Sequence, residues 1–194
     1  MAHLLLSLVL SFSVSAALIG QKAPSFKLQN EMGEEVSLSD FKDKIVILEW
    51  LNYGCPFIQK HYKSQNMQNT QKELVSKDTV WLSIISSAKG KQGYVTATEA
   101  REDKNKYNSN ASHILLDTEG EVGRAYAAKT TPHMFIIGKD GKVRYEGAID
   151  SIASADQADV KKATNYVIAA TKALKTNAKI LVEKSRAYGC SVKY

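Results

Sequence analysis

The chain of 194 residues has only two cysteines, Cys55 and Cys190, and three prolines. Two cysteines are too few for a disulfide-stapled scaffold, and a chain this long can bury a core without staples or a structural metal. No paired C-x-x-C and no H-x-x-x-H spacing is present, so the usual metal-ligand patterns are missing. A glycine-rich phosphate loop and a nucleophilic-serine motif are also missing. Basic residues outnumber acidic ones, for a net charge of +6, but the lysines are scattered among acids, as in Glu99-Ala100-Arg101-Glu102-Asp103-Lys104. That pattern describes a solvated surface and predicts no nucleic-acid partner.

One apolar run stands at the start. Met1 to Ala16 reads MAHLLLSLVLSFSVSA, with small residues in Val14-Ser15-Ala16 where a signal peptidase cuts. Residues 1–16 are therefore expected to be a signal peptide, although the segment before the run has no Lys or Arg. The run is short for spanning a bilayer, and no other stretch is long enough. The expected product is periplasmic or secreted, free of the membrane after cleavage, and in a compartment that permits disulfides.

The rest has the pattern of one α/β domain over residues 17–178, followed by a tail, 179–194, that carries Cys190. A first strand is expected at Ala23–Leu28, then a turn at Gly33 and a helical turn after Val36. Ile45–Leu51 is nearly continuous in its apolar character, as in a strand covered on both faces. Asn52-Tyr53-Gly54-Cys55-Pro56 breaks it, and Pro56 suits a first helical position, predicting a helix to about Lys77. Strands follow at Thr79–Ile85 and His113–Asp117. Thr96 and Glu99 have capping-box spacing for a helix between them, to about Tyr107, and a short helix is expected at Glu121–Ala128. Met134–Ile137 and Val143–Gly147, joined by Lys139-Asp140-Gly141-Lys142, predict a hairpin. A last amphipathic helix is expected from Asp156 to about Asn177. The tail after Ser185 has no strong pattern. Early alternation implies parallel strands and the hairpin adds antiparallel ones, giving a central mixed sheet of four or five strands flanked by helices.

Cys55 sits where a buried strand gives way to a helix. Free N–H groups and the helix dipole stabilise an anion there, which lowers a thiol pKa and makes the thiolate a nucleophile. A buried, inert cysteine is the plain alternative. Glu49 is an acid inside an apolar strand, where an unpaired charge is costly. It acts either in proton transfer or as a strand-end acid that finds solvent or a lysine. His61 and His133 read as ordinary histidines, with His133 on the surface, and Lys60 and Tyr62 as solvated or packed residues.

The order Ser37–Lys44, Ile45–Trp50, Cys55-Pro56, and then Thr131-Pro132-His133-Met134-Phe135-Ile136-Ile137-Gly138-Lys139-Asp140-Gly141-Lys142 resembles the redoxins of the alkyl hydroperoxide reductase/thiol-specific antioxidant superfamily. The likeness covers about Gly20 to Asp150. With Asn52-Tyr53-Gly54-Cys55-Pro56-Phe57 and the ending Tyr188-Gly189-Cys190-Ser191-Val192-Lys193-Tyr194, the chain is similar to a bacterial exported redoxin subfamily with the same tail.

The resemblance implies a thioredoxin fold and a thiol oxidoreductase with antioxidant character. Cys55 would attack a disulfide or a peroxide. The partners would be a thiol reductant or a disulfide-bearing protein, with peroxide as a further candidate substrate and no cofactor. It also implies a cis Pro132 facing the thiol, with Thr131 supplying a backbone edge beside it, and a proton-transfer role for Glu49 like that of the buried acid of thioredoxins.

Two departures from the family stand out. Ile58 fills the second position of the thioredoxin C-x-x-C, so there is no local dithiol. Leu48 and Asn52 fill the places of the peroxiredoxin proline and hydroxyl residue, and Asn52 is the remaining candidate to hydrogen-bond a substrate. Cys190 is the only other thiol. An extended tail of about a dozen residues spans up to roughly 40 Å, against a domain radius of gyration of about 16 Å, so Cys190 is a candidate resolving thiol. The alternatives are a loose tail with an incidental thiol, a binding module that holds partners on the proline face without turnover, and a metal carrier.

Overall fold

A computed structural model describes residues 18–194; the expected signal peptide lies outside the described residues. Its centre is a seven-stranded mixed sheet in the order β2-β1-β5-β4-β3-β7-β8. The strands are β1 (Lys27–Asn30), β2 (Glu35–Ser37), β3 (Ile45–Trp50), β4 (Thr79–Ile85), β5 (His113–Leu116), β7 (Met134–Ile137) and β8 (Val143–Gly147). A separate two-stranded ribbon pairs β6 (Thr130–Thr131) with β9 (Cys190–Ser191). The helices are α1 (Pro56–Lys63), α2 (Asn66–Leu74), α3 (Ala97–Lys106), α4 (Glu121–Ala125) and α5 (Tyr166–Lys175).

β3 runs parallel to β4, and β4 parallel to β5. β7 lies antiparallel on the other side of β3 and continues into β8. β3 is buried at all six residues, and its side chains alternate between two cores. Ile45 and Ile47 pack with Ile58, Tyr62 and Met67 of α1 and α2 and with Val167 and Ala170 of α5. Val46, Leu48 and Trp50 pack on the opposite side with Phe135, Val122 and Tyr126. Glu49 falls in the alternation with Ile45 and Ile47, so its carboxyl enters the core beneath α1 and α2.

The sheet is wider than the expected four or five strands. The first strand begins at Lys27 rather than Ala23 and pairs with β2 around Gly33, which has φ +79°. These two strands at one end of the sheet are short and partly charged, so no long apolar run marks them. The helix expected from Pro56 to Lys77 is two helices, broken at Gln65, whose φ is +63°. The last helix is likewise divided: a 3-10 turn spans Gln157–Lys162, and Asn165 then caps α5 through a hydrogen bond from Ile168 N. Neither break contains glycine or proline, so neither is announced locally. α4 ends at Ala125 rather than Ala128.

Candidate functional site: two cysteines at the proline edge

β3 delivers the chain into Asn52-Tyr53-Gly54-Cys55, and Cys55 caps α1 with Pro56 in its first turn. Cys55 N donates to Asn52 O, and Gln59 N donates to Cys55 O. The Thr131–Pro132 peptide bond is cis. It carries the β6 edge to the thiol, so that the Cys55 sulfur lies 3.0 Å from the Thr131 carbonyl oxygen.

The tail pairs with this same edge. Thr131 faces Cys190 and Thr130 faces Ser191 in antiparallel register. The Cys55 and Cys190 sulfurs stand 2.7 Å apart and unbonded, with Cys55 buried and Cys190 half-buried. The tail, patternless in sequence, takes its order from pairing with residues some sixty positions away, which no local signal records.

Gly189 makes the approach close enough. Its φ is +142°, and a Cβ there would sit 2.1 Å from the Thr131 carbonyl oxygen. Only a residue without a Cβ lets the tail lie this low on the edge.

The two thiols are electrostatically unlike. Burial raises the Cys55 thiol, but hydrogen bonding from Cys190 and the backbone N–H groups of Ile58 and Cys190 lower it by more, so the net direction is down. Burial, the hydrogen bond to Cys55 and the Cys55 charge all push Cys190 up. Ionised Cys55 beside protonated Cys190 is therefore the favoured state of the pair. The Thr131 hydroxyl is buried with no hydrogen-bond partner among the described residues.

Glu49 is fully buried and faces four neutral donors. Trp81 Nε1 and Ser83 Oγ each donate to Oε2 at 2.8 Å, the Tyr62 hydroxyl lies 3.3 Å from both oxygens, and Gln71 Nε2 is 3.5 Å from Oε2. Burial pushes its carboxyl up to about 7 against these donors, which lower it. None of these hydrogen bonds reaches a cysteine. Asn52 is also buried, and its amide is used internally. Its Nδ2 donates to Gln92 Oε1 at 2.9 Å, and its Oδ1 accepts from Gly54 N at 2.9 Å.

Of the two readings open to Lys60 and Tyr62, solvated or packed, the structure takes the packed one, and both histidines near the site are buried as well. Lys60 is buried and pairs with Asp150 at 3.3 Å. Tyr62 is buried on Glu49, and His61 is buried on the hydroxyl of Tyr188 at 3.2 Å. His133, expected on the surface, is buried; its Nδ1 accepts from Lys129 N, and burial pushes the ring down to about 4. Asp150 and Tyr188 carry no mark in the sequence that singles them out. A lysine-histidine pair on the buried face of a short helix could have signalled a polar cluster, but its partners are too far along the chain to be inferred. Among the described residues, no three His, Cys, Asp or Glu converge as a metal site.

Comparison with known proteins gives informative likenesses. The family described as AhpC/TSA matches residues 19–146. Thiol-disulfide oxidoreductase ResA of Bacillus thuringiensis subsp. konkukian (strain 97-27) is 24% identical over 128 residues, 66% of this chain and 68% of that protein. Among solved structures, an uncharacterized conserved protein from Geobacillus kaustophilus superposes with a TM-score of 0.80 at 22% identity, over 93% of this chain and 94% of its own. The thioredoxin domain of thiol-disulfide oxidoreductase BVU-2223 from Bacteroides vulgatus superposes with a TM-score of 0.54 at 19% identity, over 74% and 96%. At these identities the structural likenesses establish the fold, a thioredoxin fold.

Proposed function

The chain belongs to the AhpC/TSA family, and on that premise we propose that it is an exported thiol–disulfide oxidoreductase whose working couple is Cys55 and Cys190. As a class it is a thiol-dependent oxidoreductase. The observation that carries the finer reading is the pair of unbonded sulfurs 2.7 Å apart at the start of α1. Cys190 takes the resolving place that Ile58 leaves empty.

The Cys55 thiolate attacks one sulfur of a substrate disulfide, forming a mixed disulfide and releasing the other sulfur as a thiolate. Cys190 gives up its proton and attacks the Cys55 sulfur, so the second substrate sulfur leaves and is protonated. The first released thiolate takes a proton from solvent, matching the one Cys55 lost on ionising, so the substrate gains two electrons and two protons and the enzyme ends as a Cys55–Cys190 disulfide. An external thiol reductant then restores both thiols.

Peroxide is the second oxidant. It would oxidise Cys55 to a sulfenic acid and leave as an alcohol or water, and Cys190 would then expel water as the disulfide forms. Disulfide exchange is the favoured reaction because the Asn52 amide, the candidate peroxide-binding group, is already held by Gln92 and Gly54. It is also the activity in the name of the ResA relative. Glu49, whose carboxyl is pushed up to about 7, is proposed as a proton reservoir in the core beneath α1. Export rests on the apolar leader.

The test is peptide mapping without reduction after treating the reduced protein with glutathione disulfide or with dilute peroxide. An intrachain Cys55–Cys190 disulfide is the expected product. Oxidised Cys55 beside a free Cys190 would remove the tail from the mechanism, and failure to react with either oxidant would leave a binding module. Comparing the two rates separates the disulfide from the peroxide reading.

A further inference from the structure

A buried polar cluster at the base of the tail takes no part in the chemistry above. Lys60, His61 and Asp150 are all buried. Lys60 Nζ lies 3.3 Å from Asp150 Oδ2, 2.9 Å from the Ile152 carbonyl and 3.4 Å from the Tyr188 hydroxyl. Tyr188 donates that hydroxyl proton to Asp150 Oδ1. His61 Nε2 is 3.2 Å from the same hydroxyl, while its Nδ1 faces the Asn66 amide at 2.8 Å. A neutral ring with its proton on Nε2 satisfies both neighbours, and burial pushes His61 down to about 4. The Tyr188 hydroxyl therefore donates once and accepts twice, which uses its full capacity. Its ring also meets Phe57 edge-on at 5.8 Å.

The placement of these partners matters more than their number. Phe57, Lys60 and His61 belong to α1, the helix that Cys55 caps. Tyr188 stands two residues before Cys190. One side chain thus joins the frame of the first thiol to the segment that carries the second. The tail has other anchors. Upstream, Ser185 Oγ meets Tyr145 and Ala148 N; downstream, the Tyr194 hydroxyl donates to Ala128 O. Those contacts reach the sheet edge and the loop after α4, whereas Tyr188 reaches α1.

We propose that Tyr188 is the positioning residue that holds Cys190 over Cys55, acting through Lys60, Asp150 and His61. It governs how often Cys55 is uncovered, and how quickly a mixed disulfide on Cys55 is resolved. The second consequence rests on the reading of Cys55 and Cys190 as the redox couple; the first does not.

The test uses the full reduced chain and Tyr188→Phe, which keeps the ring on Phe57 and removes the hydroxyl. Cys55 is buried under the tail, so iodoacetamide modifies it only when the tail lifts. Peptide mass spectrometry should show Cys55 alkylated about tenfold faster in the variant, the loss expected for a hydrogen bond to charged partners. Gly189→Ala, which drives a methyl group into the Thr131 carbonyl, lifts the tail by an independent route and should also expose Cys55.

With one equivalent of glutathione disulfide, Tyr188→Phe should keep Cys55 as its glutathione adduct about tenfold longer before Cys190 displaces glutathione, by the same loss of one charge-assisted hydrogen bond. A merely structural role would not produce that lifetime. An unchanged alkylation rate in Tyr188→Phe, with Gly189→Ala exposing Cys55, overturns the proposal. If the wild-type chain forms no Cys55–Cys190 disulfide, the redox reading fails, and the alkylation comparison still decides whether Tyr188 holds the tail.

Discussion

Glutamine in place of Glu49 should remove a specific pH dependence of stability. The carboxyl has an ordinary value of 4.5 and is pushed up to about 7 by complete burial. Folding therefore favours the protonated form. The stability that Glu49 supports is full below about pH 4.5 and is lost as the pH rises through about 7. Over pH 5 to 8 this loss amounts to about 2.5 kcal/mol, from a shift of about two and a half units at 1.36 kcal/mol each, less the parts of the titration outside that window. The substituted amide would still offer an oxygen to Trp81 and Ser83 and an N–H to Tyr62, so Glu49→Gln should fold with the network in place. The assay is urea unfolding at each pH in a Cys55→Ser, Cys190→Ser background, which silences the thiols. His61 and His133 titrate with the opposite sign, since burial pushes both down to about 4, but they contribute equally to both proteins. The stability difference between Glu49→Gln and its parent should thus grow by about 2.5 kcal/mol from pH 5 to pH 8. A difference flat across that range would refute a buried carboxyl titrating near neutrality, and with it the proton reservoir.

The sequence carried the centre of the fold and one half of the site. β3 and β4 are nearly continuous apolar runs because both their faces are covered, and such runs are legible without tertiary information. The Cys55-Pro56 start of α1 and the Thr96–Glu99 capping box are also local, and the box forms as read. Other features depend on residues far apart in sequence. The β6–β9 ribbon needs the tail to fold back on Thr130–Thr131, and its only local trace is Gly189, whose reason appears once the Thr131 carbonyl is in view. Whether Lys60 and His61 are solvated or packed is not legible locally, because their partner Asp150 lies after the last hairpin and Tyr188 near the end of the chain. Glu49 is visible as an acid in an apolar run, but its four donors come from α1, α2 and β4, so its state cannot be read from β3 alone.

Three further expectations follow from the site and the leader. N-terminal sequencing of the protein from its native host should show loss of about the first 16 residues, as the small residues Val14 and Ala16 direct; retained Met1 on soluble cytosolic protein would count against export. The rate of Cys55 alkylation against pH, measured in Cys190→Ser, should show a midpoint below the free-thiol value of about 8.5. In Cys190→Ala, which removes the hydrogen-bond donor at 2.7 Å, the midpoint should rise. If the two midpoints coincide, a hydrogen-bond donor at position 190 does not stabilise the Cys55 thiolate. Lys60→Met tests the buried pair itself. Lys60 and Asp150 are 0% and 2% exposed in their side chains, so removing the cation leaves a carboxylate in the core with only the Tyr188 hydroxyl, the Ile152 N–H and a neutral His61 near it. Breaking one member of such a pair costs about 3 kcal/mol, mainly from the charge left behind rather than from the attraction lost. Asp150→Asn in the Lys60→Met background removes that charge as well, and should recover most of the loss in urea unfolding at pH 7. If the double variant is as unstable as Lys60→Met alone, the loss comes from the packing of the lysine stem, and Asp150 is not held as an anion by Lys60.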